Sequence, residues 1–135
     1  MDKKQIALDF NQIINKLITT IERKSREDLE LANLDRLQKR ISLLKQIDGV
    51  EALIENAAPV ILKYSDQILN NDETFFTTMD VRKETGDIKI KQNDEYIFAL
   101  IDSVKKHYTS LKEAEKKNIF IEVNKLLNLS AQYAL

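Results

Sequence analysis

The chain has no cysteine and no tryptophan, and only one histidine, one proline and two glycines. Each scarcity removes a class of chemistry. Without cysteine there are no disulfides, no thiolate nucleophile and no Cys-ligated zinc or iron–sulfur centre. A reducing, intracellular compartment is the matching expectation. A lone imidazole cannot complete a His-based zinc site, and Gly49 and Gly86 stand too far apart to build a phosphate-cradling loop. Long apolar runs are also missing. The longest are short pieces such as Pro59–Leu62, against the roughly 18–20 residues of a bilayer span, so no membrane span is expected. The opening Met-Asp-Lys-Lys-Gln lacks the apolar core of a secretory signal. The heavy use of Lys, Ile and Asn hints at an AT-rich genome, cellular or viral, and has no bearing on mechanism.

What remains is 43% hydrophobic and 32% charged residues in a chain of 135, a size and balance suited to one helical domain. The net charge of −1 conceals unequal segments. Residues 1–47 carry ten Lys/Arg against seven Asp/Glu, residues 48–95 five against eleven, and residues 96–135 six against four. An acidic middle between basic flanks can draw neighbouring segments or subunits together, although most of that charge is expected to be solvated surface.

Apolar residues recur at three- and four-residue intervals over most of the chain, the period of one helix face. The spacing predicts helices at about 2–24, 26–47, 49–70, 94–108 and 111–133. The first is striped by Ile6, Phe10, Ile13, Ile14, Leu17, Ile18 and Ile21. At 100° per residue Leu34 falls about 140° from Ile21, so a second helix, lined by Leu34, Leu37, Ile41 and Leu44, is preferred to one long bent helix. Asp48-Gly49-Val50-Glu51 and Ser110-Leu111-Lys112-Glu113 read as capping boxes, and Ser25 with Asp28 as a near-match. The third stripe, Val50, Ile54, Ala57, Ile61, Tyr64 and Ile68, keeps its phase through Pro59, which predicts a kink and not a stop. Asn70-Asn71 suits the left-handed end of that helix. The stretch around 75–91 is the exception. Thr77–Arg82 and Ile88–Lys91 alternate apolar and polar residues about a turn containing Gly86, the pattern of a small β-hairpin or an irregular insertion. The expected fold is therefore all-α, an antiparallel bundle of four to five helices with that insertion.

No catalytic, cofactor-binding or metal-binding residues are assigned. His107 has its nearest same-helix carboxylate, Asp102, five positions away, the wrong spacing for a relay, and reads as a solvated helix-end residue. Of the acidic pairs, Glu27/Asp28, Glu51/Glu55 and Asp94/Glu95 sit at predicted helix starts, where carboxylates answer free N–H groups. Asp72/Glu73 reads as a solvated loop. The expected function is non-catalytic, through a protein partner or self-association, with Phe75, Phe76, Met79, Val81, Ile88 and Ile90 on the insertion as contacts. The insertion could equally cover the open end of the bundle and bury Phe75 and Met79. The second reading is a nucleic-acid-associated factor contacting phosphates through Arg23, Lys24, Arg26, Arg36, Lys39 and Arg40. Interleaved Glu22, Glu27 and Asp35, and a sequence pI near 5.9, weigh against it.

Overall fold

A computed structural model describes residues 2–24, 28–78 and 95–135. The chain is mostly helical, and among the described residues no strand occurs. The helices are α1 (Lys3–Lys24), α2 (Asp28–Asp48), α3 (Ala52–Lys63), α4 (Ser65–Leu69), α5 (Glu73–Thr78), α6 (Glu95–Tyr108) and α7 (Glu113–Ala134).

The first helix forms where its stripe predicts. Asp2 Oδ1 accepts from the Gln5 backbone N–H at 2.8 Å, satisfying one of the donors a helix start leaves open. Ile6, Phe10, Ile14, Leu17, Ile18 and Ile21 are buried in one core with Leu34, Leu37 and Ile41 of α2, Leu53, Ile54 and Ala57 of α3, and Ile119, Phe120 and Leu126 of α7. Asn11 is buried too. Its amide donates to the Val50 carbonyl at 3.0 Å, pinning α1 to the turn between α2 and α3. Lys16–Glu122 at 3.1 Å and Lys24–Glu115 at 2.8 Å join α1 to α7 along the outside.

The second helix doubles back on the first. The Gln38 amide donates to Glu22 Oε1 across 16 positions, which a straight helix would separate by about 24 Å. A single long helix over 2–47 is thereby excluded. Ser25, the proposed cap of α2, lies outside the described residues. Gly49 then ends α2 with φ +95°, the left-handed region that glycine enters without Cβ strain. Its N–H donates to the Lys45 carbonyl at 3.0 Å. The Asp48–Glu51 capping box does not form. Asp48 is still helical, and Glu51 precedes Ala52 without a side-chain cap bond.

The helix expected over 49–70 is split. Pro59 lies inside α3 and does not end it. The break comes at Tyr64, where φ is −104° and ψ 24° and the N–H reaches Ile61 with the tighter three-residue spacing. Asn71 takes φ +50°, closing α4 as its residue type suggested. The predicted hairpin or irregular insertion is corrected where it can be seen: residues 75–78 belong to α5. Asp72 is no loop spectator, because its Oδ1 accepts the Phe75 N–H at 3.1 Å and starts that helix. The rest of the proposed insertion, residues 79–91 with Met79, Val81, Ile88 and Ile90, lies outside the described residues.

The capping box ahead of α7 also moves. The Glu115 side chain accepts the Lys112 backbone N–H at 3.1 Å, while the Ser110 hydroxyl donates back to the His107 carbonyl at 2.8 Å. Ser110 therefore closes α6 instead of opening α7, its hydroxyl and its backbone N–H both donating to the His107 carbonyl. The Lys24 ammonium, together with the Lys112 N–H, holds the Glu115 carboxyl below the usual carboxylate range.

Candidate functional site

Among the described residues, a chain of aromatic rings gathers where α5 meets Tyr64, α6 and α7. A six-residue helix cannot persist on its own backbone bonds. Here α5 is held by the Asp72 cap and by two adjacent rings. Phe75 stacks at 5.5 Å from Tyr64, Phe75 and Phe76 meet edge-to-face at 5.4 Å, and Phe76 continues to Phe120 at 6.1 Å. Phe120 in turn meets Tyr108 edge-to-face at 6.1 Å. Such ring pairs add to plain burial because the edge of one ring meets the negative face of the other. Both Phe75 and Phe76 are half-buried and packed against neighbouring core residues.

Beside these rings lies a cavity of about 170 Å³. Ile14 and Leu17 of α1, Val60 of α3, and Ile119 and Val123 of α7 form much of its wall. The polar residues around it turn their heteroatoms elsewhere. The Thr77 hydroxyl donates to the Glu73 carbonyl at 2.9 Å, and the Tyr108 hydroxyl donates to the Glu73 carboxylate.

Tyr108 and Tyr133 share an electrostatic setting. Burial, followed by the bond to Glu73, pushes the Tyr108 hydroxyl well above its ordinary titration range. Burial, then Glu55 and Glu51 at 3.0 and 3.1 Å, does the same for Tyr133. In both cases the folded state holds the proton more tightly than the unfolded chain. The stability this confers is complete below the unfolded tyrosine value, about 10, and is lost as pH rises above it. Ultraviolet titration at 295 nm of the parent against Tyr108→Phe and Tyr133→Phe should show each of these two hydroxyls ionising above the free-tyrosine value, with unfolding setting in as they do. Ionisation of either hydroxyl at the free-tyrosine value, with the helices intact, would contradict the hydrogen bonds drawn for it.

The proposed phosphate contacts do not form one uninterrupted patch. Arg23 is exposed, Lys24 is paired with Glu115, and Arg26 lies outside the described residues. Lys39 pairs with Asp35 at 2.9 Å. Arg36 and Arg40 remain exposed on α2, and the same face holds Leu43 and Ile47, which are 54% and 71% exposed. At 100° per residue these four side chains fall within about 60° of one another. The sequence reading missed the two apolar members because it followed only the buried stripe of α2. Their i, i+4 spacing outside that stripe was the available signal.

Among the described residues no group of three or more His, Cys, Asp or Glu is placed to hold a metal ion, and no helix is long and apolar enough to cross a membrane. Compared with known proteins, the chain matches no family model, and no curated protein or solved structure is similar enough to count as a match.

Proposed function

We propose that the protein is a non-catalytic interaction module, a scaffold, assembly subunit or adaptor, whose docking face is the outer side of α2. The observation that carries this is the exposure of Leu43 and Ile47 on successive turns in line with Arg36 and Arg40. Between Arg36 and Ile47 the helix holds four cations and no carboxylate. An amphipathic acidic helix on a partner protein complements that surface: its apolar residues would cover Leu43 and Ile47 while its carboxylates meet the two arginines. The supporting body in this reading is a mostly antiparallel bundle. Lys16 pairs with Glu122 and Lys24 with Glu115, so numbering rises along α1 as it falls along α7. Only three residues separate α2 from α3, a length that suits antiparallel neighbours. Work in a reducing intracellular compartment accords with the absence of cysteine.

The second reading, contact with nucleic acid, draws on the same exposed Arg36 and Arg40. Two large exposed apolar residues on the same face beyond those cations make it the weaker fit, since phosphates offer them nothing.

A photocrosslinker at position 47, introduced in the source cells, should capture a discrete protein adduct that a probe at exposed Lys117 does not. Arg36→Glu with Arg40→Glu should weaken that capture about tenfold or more. Absence of an adduct at position 47 would defeat the proposal. So would low-salt binding to single- or double-stranded nucleic acid that the double charge reversal abolishes, a result that would install the second reading.

A further inference from the structure

The cavity beside α5 serves no part of a docking function on α2, and its chemistry is specific. We propose that it is a binding site for one small, uncharged, ring-sized apolar molecule. Its size carries the first half of the argument. A cavity of about 170 Å³ compares with the roughly 150 Å³ engineered apolar cavity, lined by Leu, Ile and Phe, that stays dry and takes up benzene.

Its walls carry the second half. Ile14, Leu17, Val60 and Ile119 present only hydrocarbon, and Phe76 and Phe120 add ring surfaces inclined at 55° to each other. Water gains little in such a space, because a bound water needs two to four polar partners. Of the lining hydroxyls, those of Thr77 and Tyr108 already donate to Glu73. Glu73 and Lys105 also border the space, but its surface is almost wholly hydrocarbon, so a charged ligand would surrender much of its hydration on entering it. An uncharged apolar guest loses nothing comparable and restores the dispersion contacts that the lining lacks.

The test uses the full chain with benzene as probe and benzoate as its charged counterpart. Benzene should raise Tm, by about 5 °C at ten times its Kd and logarithmically beyond that, and benzoate should leave it unchanged. Ala57 also lines the cavity, so Ala57→Leu, which extends hydrocarbon into the space, should abolish the benzene shift. Should that variant fail to fold, methyl resonances of the parent protein decide the matter. Those of Leu17, Val60, Ile119 and Val123 should move with benzene while those of exposed Leu43 and Ile47 stay still. No rise in Tm and no saturable movement of those resonances, a shift that survives in folded Ala57→Leu, or benzoate binding as well as benzene would each overturn the proposal.

Discussion

Phe10→Ala is expected to destabilise the protein by about 3–5 kcal/mol, the range for truncating a fully enclosed aromatic residue. Phe10 has no exposed surface and sits midway along the buried stripe of α1, in one core with residues of α2, α3 and α7. The loss is large against the total stability of an ordinary domain, roughly 5–15 kcal/mol. Guanidinium denaturation should show the midpoint falling with little change in slope. Leu8, two residues earlier and 37% exposed, provides the control. Truncating it to Ala should cost no more than about 1 kcal/mol. Equal losses at the two positions would mean that α1 does not present the face described.

Leu34→Ala should cost about 2–5 kcal/mol, and its effect should be greatest in α2. Leu34 is 1% exposed and lies in the same core as Ile18 and Ile21, so it anchors α2 where it folds back on α1. Removing its branched end leaves a gap in a junction otherwise tied on the outside by the Gln38–Glu22 bond. Amide exchange over residues 37–47 should accelerate more than exchange over 6–21. Leu43→Ala, with 54% of its residue surface already in water, should change stability by less than about 0.5 kcal/mol. A Leu43 effect as large as that of Leu34 would reassign the outer face of α2 to the core and remove the docking surface with it.

Much of the helical framework was legible in the residues. The α1 stripe from Ile6 to Ile21 is buried as its period required, and Leu34, Leu37 and Ile41 mark the inward side of α2 in the same way. Pro59 passed through α3 because one missing N–H and one crowded carbonyl bend a helix without ending it when its apolar face is well packed. Asn71 was placed correctly in the left-handed region because few other residue types enter it cheaply.

The site was far less legible. Glu73–Thr78 reads as β-prone in isolation, rich in Thr and Phe, and it becomes helical because Asp72 caps it and its two rings find Tyr64 and Phe120. Those ring partners lie 11 and 44 positions away from Phe75 and Phe76, beyond any local pattern. Ser110 had a suitable Glu three residues on, yet its hydroxyl went to the nearer carbonyl of His107. Hydroxyls can serve either helix end, and local sequence does not say which is in reach.

The order of residues by itself determined that this chain would be helical, which side of α1, α2 and α7 would face inward, and that thiol chemistry was excluded. These follow from the 3.6-residue period and from side-chain inventory, both local properties. Tertiary structure alone decided the meeting of α5 with Tyr64 and Phe120, the cavity left between them, and the pairing of Lys24 with Glu115. Each depends on how helices distant in sequence approach one another, and packing distances and leftover volume are properties of the assembled chain.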